Sequence, residues 1–215
     1  MGYNQGVKSY QITIALFLGL SAAPAAGQTL FLDVNGDGRS DGSDVLNPGV
    51  TSVDVYLDTS HAPDGSPVTC ARTEHPDHPE PLTINSYTFI LGWEPVGTGS
   101  LAYGAWTDNM GFTISVGGAQ KGRDFWTGRA VPYYLAAGKH KLGTLGVTVT
   151  GTPVLQFLSS TPIDPVAITS FGSPCVGQDY DNTMKLGSDF LDARGTSTVD
   201  DAPRTAWRTI KDISR

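Results

Sequence analysis

Apolar and polar residues alternate with a period of two along much of this chain. In residues 51–59, Val53, Val55 and Leu57 fall on one side, and Asp54, Tyr56 and Asp58 on the other. Residues 84–93 (INSYTFILGW) put Tyr87, Phe89, Leu91 and Trp93 on a single face. Phe112, Ile114 and Val116 read as a further short strand, and residues 141–150 present Leu145, Val147 and Val149. Residues 154–158 (VLQFL) and 166–171 (VAITSF) follow after proline-marked turns. Period two is the signature of a half-buried strand. No helix-period segment separates these strands, and Gly, Pro, Asn and Asp cluster between them. The pattern predicts an all-β fold of roughly seven to nine strands, two antiparallel sheets packed face to face.

Composition sharpens this expectation. The 215 residues include 26 Gly and 14 Pro, which disfavour long helices because one is costly to order and the other lacks a backbone donor. The hydrophobic fraction of 39% is enough for a core. The formal charge of −7 repels phosphate backbones, so nucleic-acid binding is disfavoured. Only Glu74, Glu80 and Glu94 are glutamates; the remaining acids are Asp, a turn residue and a hard-cation ligand.

The N-terminus reads as an export signal. Lys8 precedes the apolar run 12–20 (ITIALFLGL), and small residues follow up to Gly27. The apolar stretch is too short to span a bilayer. Residues 1–27 are therefore expected to be removed, leaving 28–195 as the folded domain in a secreted or cell-surface setting. In an oxidising compartment Cys70 and Cys175 pair most simply with each other, two unrelated buried thiols being the alternative.

The strongest motif lies at residues 33–44. Asp33, Asn35, Asp37, Asp41 and Asp44 occupy positions 1, 3, 5, 9 and 12 of a twelve-residue loop, with Gly38 at position 6. Calcium takes six to eight oxygen ligands, and a sharp turn at position 6 wraps the chain round the ion. Asp33, Asn35 and Asp37 supply side chains, Arg39 its carbonyl, Asp41 a contact through water, and Asp44 the closing carboxylate. A solvated Asp/Gly-rich turn is the alternative. The loop resembles the EF-hand-type repeat of dockerins, which also place Asp at position 12. The surroundings differ from that family: residues 29–32 read as a strand, Asn47-Pro48-Gly49 stops any helix after the loop, and no second copy follows. A dockerin-type docking function is therefore not implied.

The body of the chain resembles the cohesin-like group among the carbohydrate-binding-module sandwiches. The residues carrying the likeness are Val53-Asp-Val-Tyr-Leu-Asp58, Ser86-Tyr-Thr-Phe-Ile-Leu-Gly-Trp93, Leu142-Gly-Thr-Leu-Gly-Val147 and Val154-Leu-Gln-Phe157. The resemblance implies an extracellular, non-catalytic jelly-roll sandwich used for protein docking or surface assembly. It assigns no contact residue, because cohesin contact positions vary.

Signs of catalysis are sparse. There is no Gly-x-Ser-x-Gly elbow and no His-Glu-x-x-His helix. Asp pairs remain open to a glycosidase role, but the three glutamates are not placed as a flanking pair. His75 and His78 stand among Glu74, Asp77 and Glu80, yet Pro76, Pro79 and Pro81 force an extended segment without an evident third strong ligand. Trp106, Trp126, Tyr133 and Tyr134 are central in the chain. Exposed in a row, Trp106, Trp126 and Tyr133 would stack on sugar faces; otherwise they fill or shield the core. Asp179, Asp181 and Asn182 with Asp189 or Asp192 form a second candidate calcium cluster or a plain turn.

Residues 196–203 read as a polar linker that ends in helix-start chemistry at Asp200, Asp201 and Pro203. Ala206, Trp207, Ile210 and Ile213 then recur at helical spacing among Arg204, Arg208, Lys211 and Arg215. This short basic tail, 196–215, resembles the Trp-x-x-Ile-Lys tails of some exported proteins. The sequence thus points to an exported, calcium-stabilised sandwich that docks an extracellular protein. A polysaccharide-binding module and a subunit of an extracellular filament are the alternatives.

Overall fold

The computed structural model describes residues 29–61, 65–72, 75–172, 190–191 and 193–194, with 70–72, 75–81, 190–191 and 193–194 described as backbone. The expected leader, linker and C-terminal helix lie outside these residues. The strands are β1 (Thr29–Asp33), β2 (Ser52–Asp58), β3 (Thr69–Arg72), β4 (His75–Pro81), β5 (Ile84–Glu94), β6 (Ser100–Asp108) and β7 (Ile114–Lys121). They continue as β8 (Asp124–Leu135), β9 (Lys139–Thr150), β10 (Val154–Leu158), β11 (Ser170–Gly172), β12 (Phe190–Leu191) and β13 (Ala193–Arg194).

Two sheets face each other. The first runs β12-β1-β2-β9-β6 and the second β13-β10-β5-β8-β7, with β11 beside β5. All pairings are antiparallel apart from β1 with β12, and β3 and β4 form a separate hairpin. The expected all-β, two-sheet sandwich is what forms, with no helix among the described residues.

The core follows the alternation. Val53, Val55 and Leu57 of β2, Leu145, Val147 and Val149 of β9, and Tyr87, Phe89 and Leu91 of β5 are all buried between the sheets. Their partners in the first sheet, such as Asp54 and Tyr56, face away from that core, where Asp54 binds Lys141 and the Thr144 hydroxyl. The second sheet also buries part of its other face. Ile90, Trp126 and Ala167 form a small second core with Ala119, Leu158 and Ile163. The chain between β10 and β11 lies across this face, pinned by the Thr169 hydroxyl, which donates to the Leu158 carbonyl and accepts the Ile90 N–H at 3.1 Å.

Three expectations need correction. Residues 166–171 do not form one strand, because Asp164-Pro165 turns the chain, Ile168 makes a lone bridge to Ser160 and only Ser170–Gly172 forms a strand. Phe112 is buried ahead of β7, its N–H bound to Asp108, while Ile114 and Val116 are exposed rather than part of the core. The Pro-rich stretch at 75–81 is extended as expected, but it is paired with β3 rather than a loop.

At the end of β2 the Asp58 carboxylate accepts the Ser60 N–H at 2.8 Å, the Ser60 hydroxyl at 2.7 Å and the His61 N–H at 3.1 Å. Burial pushes this carboxyl up, but the Ser60 and His61 bonds outweigh it and hold it below the usual value. Because the folded value is depressed, the stabilisation is present above the unfolded value of about 3.9 and is lost as pH falls through the folded value. Asp58→Asn is expected to cost about 1 kcal/mol at neutral pH. The difference from the natural chain should vanish in melts near pH 2.

Candidate functional site

The loop between β1 and β2 is built by side chains that cap their own backbone. Asp33, 1% exposed at the end of β1, accepts the Gly36 N–H at 2.6 Å through Oδ1 and the Gly38 N–H at 2.7 Å through Oδ2. Gly36 and Gly38 have φ of 80° and 74°, so each takes a left-handed conformation that a side chain would strain. Asp44, 4% exposed, accepts the Val34 N–H at 2.7 Å and the Asp41 N–H at 2.9 Å. Asn35 accepts the Asp37 N–H, Asp37 the Arg39 N–H, and Asp41 the Ser43 N–H and hydroxyl. The Ser43 bonds draw the Asp41 carboxyl below its usual value. Leu46, fully buried just beyond the loop, seats its far end in the core. Lys139 of β9 donates to the Gly38 carbonyl at 2.7 Å and lies 5.8 Å above the Tyr56 ring.

This donor set suits a hard cation, since every side-chain ligand in the motif is an oxygen and two of the acids are buried. Neither Asp33 nor Asp44 has an ion-pair partner among the described residues. As they stand, the carboxylates turn to backbone N–H groups, and no three His, Cys, Asp or Glu side chains converge among the described residues. Asp37 and Asp41 are exposed, and ligation would replace the bonds they accept from Arg39 and Ser43.

The aromatic residues do not form an exposed row. Trp126 is 8% exposed and packs with Ile90 on the outer side of the second sheet. Its ring occupies the place of a Gly117 side chain, 2.3 Å from where that Cβ would sit. Trp106 turns inward from the first sheet and meets Phe89 edge-on at 5.1 Å. Only Tyr133, with its neighbour Tyr134, is half exposed.

Sequence reasoning missed a second site. β6 and β7 are edge strands of opposite sheets, and between them lies a hollow of about 310 Å³. Trp106, Ser115, Gln120, Phe125, Thr127 and Arg129 are among its lining residues. Arg129 shares the inner face of β8 with the core residues Phe125 and Val131. Its Nε is buried without a hydrogen-bond partner, and so is Trp106 Nε1. Trp106 lies towards the Tyr87 hydroxyl, outside hydrogen-bond geometry. That hydroxyl donates to Asp108, and burial followed by the Asp108 bond and charge pushes it far above the usual tyrosine range. A lone Arg in a strand carries no sequence signal that separates it from a surface residue.

On the outer side of the second sheet, Ile114 and Val116 of β7 are 50% and 57% exposed. Val116 packs over Gly128 of β8, and the crossing segment adds the exposed Val166 and Ile168. The second acidic cluster (Asp179, Asp181, Asp189) and Cys175 lie outside the described residues, as does the side chain of Cys70, so the proposed disulfide does too. Among the described residues no helix is long and apolar enough to cross a membrane.

No protein-family model matches the chain, and no curated protein matches it. Among solved structures, it is similar to a non-cellulosomal cohesin from the hyperthermophilic archaeon Archaeoglobus fulgidus, at 12% identity and a TM-score of 0.38, covering 80% of this chain and 93% of that one. It is also similar to a type III cohesin module from a cellulosomal cell-surface anchoring scaffoldin of Ruminococcus flavefaciens, at 10% identity and a TM-score of 0.47, covering 84% of this chain and 92% of that one.

Proposed function

We propose that the chain is an exported, non-catalytic docking module, a sandwich whose 33–44 loop is held by calcium and whose second sheet offers its outer side to a protein. One observation carries the docking reading. Ile114 and Val116 of β7, and Val166 and Ile168 of the segment that crosses that side, are each exposed, and β7 also ends the sheet. Aliphatic side chains beside an open strand edge suit a polypeptide. Sugar faces ask for flat aromatic rings, and here Trp106 turns inward and Trp126 is buried.

Calcium is supported by the loop spacing and by the buried, ion-unpaired Asp33 and Asp44. Asp33, Asn35, Asp37, Asp41 and Asp44 would hold it by side chain and Arg39 by its carbonyl. The ion would supply only charge balance and loop order. Export rests on the 1–27 leader and remains part of the proposal.

The docking reading is tested by placing a photo-reactive residue at position 116 and, as control, at position 148 on the outward side of β9. Irradiation in extract of the producing cells is expected to give adducts with another protein from position 116 only. Equal adducts from both positions, or adducts only between copies of this chain, would contradict it.

A further inference from the structure

We propose that the hollow between β6 and β7 is a carboxylate pocket, filled by a single acidic side chain of an extended partner segment that adds to the free edge of β7. This inference deepens the docking reading and rests on it.

Three features meet there. The first is the set of unpartnered donors. Among the described residues Arg129 makes no hydrogen bond or ion pair, and its Nε is enclosed by protein, as is Trp106 Nε1. Arg129 is only half-buried, so its guanidinium stays within reach, while the enclosed Nε and indole N–H are donors that a ligand bringing acceptors would satisfy. Asp108, which holds the Tyr87 hydroxyl, is already engaged, since it also accepts the Phe112 N–H. An incoming carboxylate offers two oxygens, which a guanidinium binds more strongly than neutral acceptors.

The second feature is the strand edge. Among the described residues β7 pairs with β8 and with no other strand, which leaves its far row of N–H and C=O groups open to an added strand. Alternation along β7 matters as well. Ser115, Gly118 and Gln120 sit opposite Arg129, Thr127 and Phe125 and so face the cleft, while Ile114 and Ala119 sit opposite Ala130 and Trp126 on the outer side. A strand added to β7 would in turn send alternate side chains into the hollow and against the exposed Ile114 and Val116. Gly118, lacking a side chain, leaves the cleft open at mid-strand.

The third feature is charge. The chain carries a net −7, which disfavours a strongly acidic partner at long range. One acid among uncharged, β-forming residues is the ligand that fits both the local cation and the overall field.

The test is a titration of the full chain, nitrogen-15 labelled, followed by NMR. The probes are a blocked pentapeptide of alternating Thr and Val with a central Glu, the same peptide with central Gln, and an oligoglucuronate. The Glu peptide is expected to shift the Trp106 indole N–H, the Arg129 Nε–H and the β7 amides in a saturable way, with the Gln peptide at least tenfold weaker. Arg129→Gln is expected to erase the difference between the two peptides, and the paired peptides on the natural chain keep the test valid if that variant folds poorly. Equal binding of both peptides, no saturable shift at Trp106, or a saturable response to oligoglucuronate alone would overturn the pocket. Partner adducts from position 116 without any Trp106 response would overturn the pocket while leaving the docking reading intact.

Discussion

Phe89→Ala is expected to lower the stability of the sandwich by about 3–5 kcal/mol, as deletion of a buried aromatic ring leaves both lost transfer energy and a cavity. Phe89 is fully buried at the centre of β5. Its ring lies 5.1 Å from Trp106, 6.0 Å from Tyr87, 6.2 Å from Phe125 and 6.3 Å from Phe157. Those neighbours come from β6, β5, β8 and β10, so this one side chain joins the two sheets. Rings fixed on four rigid strands cannot close the gap by sliding. Domain stabilities are typically about 5–15 kcal/mol, so the loss is a large share of the whole. Urea unfolding checks it: the midpoint should fall with little change in slope, whereas Val166→Ala, at a position 82% exposed, should cost under about 0.5 kcal/mol.

The second large effect is at Asp33. Asp33→Ala is expected to cost about 3 kcal/mol even in chelator, because the Gly36 and Gly38 N–H groups lose two part-buried, charge-assisted hydrogen bonds. Both glycines are held with positive φ, and without the carboxylate only the Asn35 and Asp37 caps and the Lys139 bond to the Gly38 carbonyl retain that turn. Asp33→Asn separates the capping role from the proposed role as a calcium ligand. It keeps one acceptor oxygen, so the loss in chelator should be about half as large, yet it removes a charge that calcium needs. Melts of the two variants with and without calcium check this. Equal stability of both variants and the natural chain in chelator would show that the capping bonds do not hold the loop.

Much of the sandwich was legible because β2 and β9 have one face against the core and one turned away from it, which writes a clean period of two into Val53-Val55-Leu57 and Leu145-Val147-Val149. Other strands hid for identifiable reasons. β6 carries a bulge between Tyr103 and Trp106 that breaks the alternation in mid-strand. The inner face of β8 reads Phe125, Thr127, Arg129 and Val131, so polar residues interrupt the apolar pattern, while Trp126 is buried on the opposite face by the crossing segment. That segment itself imitates a strand in residues 166–171, although Val166 is 82% exposed. That residues 33–44 turn the chain between β1 and β2 was legible from their Asp, Asn and Gly content. The hollow was not, because Trp106 and Arg129 are 23 positions apart on different sheets, and only the packing of the two edges brings them together.

The proposal that calcium holds the module is tested most directly by calorimetric titration of the protein with calcium, paired with thermal melts in calcium and in chelator for the natural chain and Asp37→Ala. The expected result is one saturable site that Asp37→Ala abolishes, together with a large fall in melting temperature in chelator for the natural chain only. No heat of binding and identical melts in both conditions would reduce residues 33–44 to a self-capped acidic turn and contradict the role given to the ion.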